Sequence, residues 1–284
     1  MKRVLLILWL CALCVAVQAQ TDKGVSSTGQ LGTSGDTRSF VDERGHKVNH
    51  PRLMRKGKII EICEPIACPG VATVTDYEGH VYNTVQIGEQ CWMRENLYTT
   101  RYPNGSTIAT SNLQVPNHND ALIPTFGYLY QWSAVMNGAT SSEANPSGVQ
   151  GICPNGWHVP SRAELSQLVN YVYARTSCYP CLNKALVSEE DWTSSPSTST
   201  ACNATVNPES NNRTGFSLKP AGHTYGSYNE NFGIQAFLYS CTQSRIESGQ
   251  PYVYDLTVSY NYSNESLMHE VHSSQYLSVR CVLD

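Results

Sequence analysis

The sequence predicts an α+β fold of short antiparallel strands, one or two helices and long loops stapled by disulfides. Three observations lead there. Short β-prone runs, each bounded by Gly, Pro, Asn or Ser, follow one another from Val71 onward. Only one segment combines clear helical periodicity with a start signal. Eleven cysteines accompany an N-terminal segment with the composition of an export signal.

That segment reads "MKRVLLILWLCALCVAVQAQ". Lys2 and Arg3 precede an apolar stretch from Val4 to Val17, too short to span a bilayer comfortably. Val17-Gln18-Ala19 offers a small-residue cleavage site, so residues 1–19 are expected to be a signal peptide. Lipoprotein processing is disfavoured because Cys14 follows Leu13. No later run is apolar enough to cross a membrane. The formal net charge of −4 becomes more negative by two once Lys2 and Arg3 leave, which argues against nucleic-acid binding. The basic cluster "RLMRKGK", Arg52 to Lys58, is expected to be a solvated or linker segment.

With Cys11 and Cys14 removed, the mature chain keeps Cys63, Cys68, Cys91, Cys153, Cys178, Cys181, Cys202, Cys241 and Cys281. These should mostly form disulfides in an oxidising compartment. The count is odd, so one is left unpaired within the chain or pairs between chains.

Residues 20–70 read as a lead-in. "TDKGVSSTGQLGTSGDTRSF" is rich in Gly, Ser and Thr and is expected to be flexible or weakly ordered. Ile59, Ile60 and Ile62 make a short strand candidate. Cys63 and Cys68 either bridge each other or pin this segment to the main domain. From 71 to 284 the texture is that of one domain. "ATVTDYEGHVYNTVQIGEQCWMREN" predicts two strands turning at Glu78-Gly79. "FGYLYQW", "FSLKPAG", "IQAFLYSCTQS", "YVYDLTVSYNY" and "YLSVRCVLD" are further strand candidates. In "YVYDLTVSY" the residues Tyr252, Tyr254, Leu256, Val258 and Tyr260 share one face, the pattern of a half-buried strand. "SRAELSQLVNYVYAR" carries Leu165, Leu168, Val169 and Val172 at helical spacing. Tyr128–Gly138 is a second helix candidate and Leu182–Ser188 a short helical turn. Ser194–Gly215 reads as a polar loop.

The stretch "GICPNGWHVPSRAEL" joins most of these signals. Ser161 and Glu164 form an S-x-x-E capping box, in which each side chain satisfies the other residue's backbone N–H. Pro160 holds Val159 extended, so Trp157-His158-Val159 should be a short strand feeding a helix. On this reading Cys153 is a staple, Trp157 is core, and His158 points to solvent or to a buried carbonyl. The competing reading makes Cys153 a nucleophile and His158 its base. It requires a reduced thiol outside the cytoplasm and a contact that the spacing does not guarantee.

In order along the chain stand "DYEGHVYNTVQIGEQCWMRENL", "FGYLYQWSAVM", "ICPNGWHVPSRAEL", "GFSLKPAG" and "LSVRCV". With these motifs the chain from about Ala72 to Asp284 resembles the Fibrobacter succinogenes major paralogous domain family, found in exported proteins of Bacteroidetes-type bacteria. The resemblance implies a C-type-lectin-like fold of two small twisted sheets, two helices and long loops. It also implies a Cys153–Cys281 disulfide. It assigns no role to Cys63, Cys68, Cys91, Cys178, Cys181, Cys202 or Cys241, and Cys91 and Cys241 depart from the usual pattern.

Other constellations add little chemistry. Cys178 and Cys181 form a CxxC after a helix, the wrong context for a thioredoxin-like site, so disulfides to other loops are expected ahead of redox or metal chemistry. Gln250-Pro251 is followed by Tyr252, not by a calcium ligand, and no Asp-rich loop offers the oxygens that calcium needs. No metal or cofactor is expected. Tyr225, Tyr228, Tyr252 and Tyr254 are candidate binding residues, with half-buried strand positions as the alternative. The expected function is a non-catalytic binding or cell-surface module for a glycan or a protein, exported to the periplasm, the outer-membrane surface or the medium. The alternatives are an accessory subunit of a surface appendage and a secreted enzyme with a reactive cysteine.

Overall fold

Burial along "VYNTVQI" shows how sequence pattern becomes sheet. Tyr82, Thr84, Val85 and Ile87 are buried while Val81 and Asn83 face solvent. The protein is described from a computed structural model, which covers residues 64–175, 178–193, 202–260 and 267–284, with short strands before them. The chain divides into two units, Met1–Lys47 and Val48–Asp284. The expected signal segment lies outside the described residues, as does the lead-in up to residue 39.

The early strands are β1 (Phe40–Val41), β2 (Lys47–Val48), β3 (Arg52–Arg55) and β4 (Lys58–Glu61). Of the solvated or linker segment expected at Arg52–Lys58, the linker alternative is corrected. Residues 52–55 pair antiparallel with β4, setting Leu53 opposite Ile60 and Met54 opposite Ile59 in register.

β5 (Thr73–Thr75), β6 (Val81–Ile87) and β7 (Gln90–Met93) then form a meander. β8 (Leu113–Gln114), α1 (Ile123–Phe126), β9 (Leu129–Gln131), α2 (Trp132–Met136) and β10 (Trp157–His158) lead into α3 (Arg162–Tyr173). After α4 (Leu182–Leu186) come β11 (His223–Tyr225), β12 (Tyr228–Glu230), β13 (Gln235–Glu247), β14 (Gln250–Ser259), β15 (Met268–His272), β16 (Tyr276–Leu277) and β17 (Val282–Leu283). The result is α+β, with mostly antiparallel sheets and few helices. One sheet has the order β10-β17-β7-β6-β5, a second β12-β11-β16-β9-β8, and a third β13-β14-β15.

Two large apolar clusters, with a small third one of Phe126, Leu129, Ala221 and Tyr276, fill the interior. One gathers Tyr82, Met93, Tyr130, Trp157, Val159 and Tyr239. The other gathers Trp92, Leu165, Leu168, Val172, Phe216 and Leu256. The β13–β14 hairpin serves both: Phe237, Tyr239, Cys241 and Val253 join the first, and Ala236, Leu238, Leu256 and Val258 the second. The strand expected to be half-buried is so only at Tyr252 and Tyr254. From Asp255 to Ser259 every residue is buried.

Two further expectations are corrected. Tyr128–Gly138 is not one helix. Gly127 has φ +75, and residues 129–131 pair with β8 and β16 before α2 begins, so cross-strand pairing overrides the local helical pattern. "FSLKPAG" forms no strand of its own. Only Leu218 makes a bridge, parallel to Val187, and Pro220 removes a ladder donor. The described part of the polar loop, 202–215, is exposed at residues 207–209 and at Arg213 and buried at Asn203, Ala204, Asn211 and Thr214. The Asn211 side-chain amide is buried and donates to the Ser188 and Ala204 carbonyls at 3.0 and 2.9 Å.

Disulfides tie the pieces. Cys68 bonds Cys91, which pins the segment before β5 to β7. Cys153 bonds Cys281 across a separation of 128 residues. Cys181 bonds Cys202. Cys178 is also disulfide-bonded, and Cys63 lies outside the described residues. Closing a loop as long as Cys153–Cys281 restricts the unfolded chain strongly. The double substitution Cys153→Ala, Cys281→Ala should lower the unfolding free energy by about 4–5 kcal/mol. A denaturant melt against the parent protein measures this, and a loss under about 1 kcal/mol would show that the pair does not constrain the fold.

Candidate functional site

The capping box forms as the sequence requires. Ser161 Oγ accepts the Glu164 N–H at 3.2 Å, and Glu164 Oε2 accepts the Ser161 N–H at 2.9 Å. The other carboxylate oxygen, Oε1, lies 2.6 Å from His158 Nε2. His158 Nδ1 is 2.7 Å from Asp284 Oδ1. The expectation that His158 points to solvent or to a carbonyl is therefore corrected: it sits between two carboxylates. Burial pulls its pKa down, yet the bonds and charges of Glu164 and Asp284 outweigh that and raise it above the usual 6.5. Both ring nitrogens are engaged by carboxylates, so neither is open to a substrate.

The cysteines give no exposed thiolate among the described residues. Cys153 is in its disulfide. Cys178 and Cys181 are not joined to each other, since Cys181 bonds Cys202, so the CxxC is not a redox pair. Cys241 is a free thiol, but it is buried, and desolvation pushes its pKa up to about 11. No group of three or more His, Cys, Asp and Glu side chains among the described residues is placed to hold a metal ion.

Three buried polar groups were not singled out by sequence. Arg280 is fully buried, and among the described residues it has no carboxylate partner. Its Nε donates to Asn96 Oδ1 at 2.7 Å, its two terminal nitrogens donate to the Phe216 and Ser217 carbonyls, and it lies over the Phe216 ring. Desolvation lowers its pKa to about 9. Lys184 reaches the Val206 and Asn207 carbonyls in the same way, and burial lowers its pKa. Asp255 accepts from the Thr257 hydroxyl through Oδ2. Among the described residues its Oδ1 has no partner, and burial raises its pKa to about 7.

The candidate tyrosines are brought together on the surface. Tyr225 and Tyr228 are register partners across a two-residue turn, where Gly226 takes φ +60 as the first central residue. They are 52% and 73% exposed. Tyr225 meets His272 edge-on, with ring centroids 6.5 Å apart, and His272 meets Tyr252 at 5.3 Å. Ser274 N–H donates to His272 Nδ1 at 3.2 Å. Arg245 stacks over Tyr252 at 4.0 Å and is paired with Glu270 and Glu247. Tyr254 lies opposite Glu270 in register and under Arg162, which pairs with Glu143 at 2.7 Å. Tyr228, Tyr225, His272, Tyr252, Arg245, Tyr254 and Arg162 therefore form one aromatic stripe in which carboxylates match both arginines. His272, Arg245 and Arg162 were missed by sequence. The signal for Arg245 was present: a two-residue turn at Ser248-Gly249 sets residue 245 opposite 252.

The Fibrobacter succinogenes major domain model matches residues 85–283. The chain belongs to this family. No curated protein and no solved structure matches it. Family membership brings no established activity. The disulfides fit an exported or extracellular family member, and no helix among the described residues is long and apolar enough to cross a membrane.

The buried histidine makes stability depend on pH in a defined direction. Its folded pKa is raised, so its contribution is complete below the unfolded value of about 6.5 and is lost as pH rises through the folded pKa. His158→Gln should cost about 3 kcal/mol at pH 6 because Glu164 loses its buried counter-charge. The difference from the parent should shrink toward pH 9 in denaturant titrations. A constant difference across that range would show that another group titrates. Cys241 should resist iodoacetamide in the native protein and react only after unfolding. Rapid native alkylation, read by mass spectrometry, would contradict its burial.

Proposed function

We propose that this chain is an exported, non-catalytic module that binds an uncharged glycan along the tyrosine stripe. The observation that carries this reading is the alignment of exposed Tyr225 and Tyr228 with His272 and Tyr252 on one face. Aromatic rings offer large apolar area at low entropic cost together with a polar edge, which suits a ligand with apolar ring faces and many hydroxyls. Glu270, Glu247 and Glu143 offset Arg245 and Arg162, so the stripe has no excess positive charge to select an anion. Oxidised Cys153, carboxylate-held His158 and buried Cys241 support the non-catalytic part.

The C-type-lectin-like likeness is part of the same proposal. Its support is the insertion of β17 between β10 and β7, with Cys281 bonded to Cys153 beside it. A role as an accessory subunit of a surface appendage is the second reading. It is favoured by Ile246, 65% exposed near the tip of the β13–β14 hairpin, where a protein partner could cover it. The export destination is the periplasm, the outer-membrane surface or the medium.

The test is a glycan array followed by calorimetry with a neutral oligosaccharide that scores. Tyr225→Ala and Tyr228→Ala should each weaken binding by about tenfold, near 1.4 kcal/mol, without lowering the melting temperature. Glycan binding that both variants leave intact would remove the stripe as the site. Absence of glycan binding, with a hairpin-dependent protein partner recovered from intact cells, would favour the second reading.

A further inference from the structure

We propose that a cleft beside the stripe, formed by residues 136–151, is a second subsite that takes an uncharged sugar unit of the same glycan; this rests on the glycan reading above. The cleft has a volume of about 460 Å³, within the range of small-molecule sites. Its wall presents Asn137, Thr140, Ser141, Ser142, Ser147 and Gln150, and its apolar lining comes from Met136 and Val149. No side chain lining it is ionisable. That composition offers hydroxyls and amides with nothing to neutralise a phosphate, a carboxylate or a cation.

The cleft is built, not an incidental gap in a loose loop. Ser142 Oγ donates to the Ser147 carbonyl at 2.8 Å, and Ser147 Oγ donates to the Val159 carbonyl at 2.6 Å. The Thr242 hydroxyl donates to the Ser142 carbonyl at 2.6 Å, tying the rim to β13. Ile152 N–H donates to the Val135 carbonyl at 2.9 Å, and Val159 N–H to the Val149 carbonyl at 2.8 Å. Gly151, at φ +53, passes so close to α2 that an added Cβ would lie 2.1 Å from the Val135 oxygen. These ties hold the wall while Thr140 and Asn137 stay exposed.

The position joins the cleft to the stripe. Ser141 Oγ accepts the Gln243 N–H at 2.8 Å, two residues before Arg245. Glu143, on the same loop, pairs with Arg162, which covers Tyr254. A ligand lying along the stripe therefore reaches the cleft loop at the Arg162 end. The ligand class that meets both surfaces is a neutral oligosaccharide longer than one unit, with one residue in the cleft and others on the rings.

Calorimetry with neutral gluco-, manno- and galacto-oligosaccharides, from monosaccharides to hexasaccharides, tests this. Thr140→Trp fills the cleft from an exposed position with no internal hydrogen bond to lose, and its melting temperature serves as the folding control; Gln150→Ala is the milder second variant. In the parent, affinity should rise with chain length. Thr140→Trp should abolish the rise, weakening the longest oligosaccharide by about tenfold while leaving the shortest binder unchanged. Gln150→Ala should weaken the longest one by a smaller factor. Length dependence that persists in Thr140→Trp overturns the subsite and leaves the stripe intact. Failure of the parent to bind any of these oligosaccharides overturns both.

Discussion

Residues 280–284 are where distant parts of the chain are tied together. Val282 pairs with His158 on one side and Trp92 on the other, placing β17 in the middle of its sheet. Cys281 is bonded to Cys153 and its carbonyl accepts the Met93 N–H. Arg280 reaches across to Asn96, Phe216 and Ser217. Asp284 clamps His158, and its N–H reaches the Gly156 carbonyl. The meander of β5 to β7, the strand–helix junction at 157–162 and the loop at 216–217 therefore all depend on one short segment. Forming it requires closure of very long loops, so these contacts can assemble only when most of the chain is already organised.

The interior charges show how that closure is made specific. Arg280 and Lys184 are held by carbonyls of irregular chain, where a helix or sheet would have supplied backbone donors. A guanidinium can satisfy several carbonyls at fixed angles, which suits loops that no ladder holds. His158 and Glu164 do the reverse: a charged pair is buried, but each oxygen of Glu164 also serves the capping box or the ring. Removing either partner strands a charge, so the pairing selects one arrangement of β10 against α3.

Legibility in the sequence follows the range of the interaction. The capping box, the α3 face and the Glu78-Gly79 hairpin are local, and each is readable from neighbouring residues. The role of His158 is not, because Asp284 is 126 residues away. The Arg280 site needs Asn96 and Phe216, which no local period connects. β9 was readable only as one of two alternatives: "FGYLYQW" is β-prone, but Leu129 and Tyr130 also fit the helix candidate until β8 and β16 are beside them. The candidate tyrosines were readable as a dense set, and their order was partly readable too. The turn at Ser248-Gly249 gives the pairing from 247–250 to 245–252, but irregularities between Tyr239 and Arg245 shift the register below that point. A prediction carried down the hairpin from the turn would therefore misplace Asp255, whose partner is Tyr239.

The same irregularities explain how one hairpin can be core at its base and surface at its tip. Below the shift, β13 and β14 are buried on both faces and separate the two apolar clusters. Above it, the strands extend past the core, and Arg245, Tyr252 and Ile246 reach solvent. A rigid base under an exposed aromatic end is the arrangement a binding surface needs, because the rings are pre-positioned and little entropy is lost on contact. The loop of residues 139–147 meets the hairpin just where it leaves the core, through Ser141 and Gln243. The stripe and the cleft thus meet at one structural transition, where Arg162 at the end of the stripe pairs with Glu143 of the cleft loop.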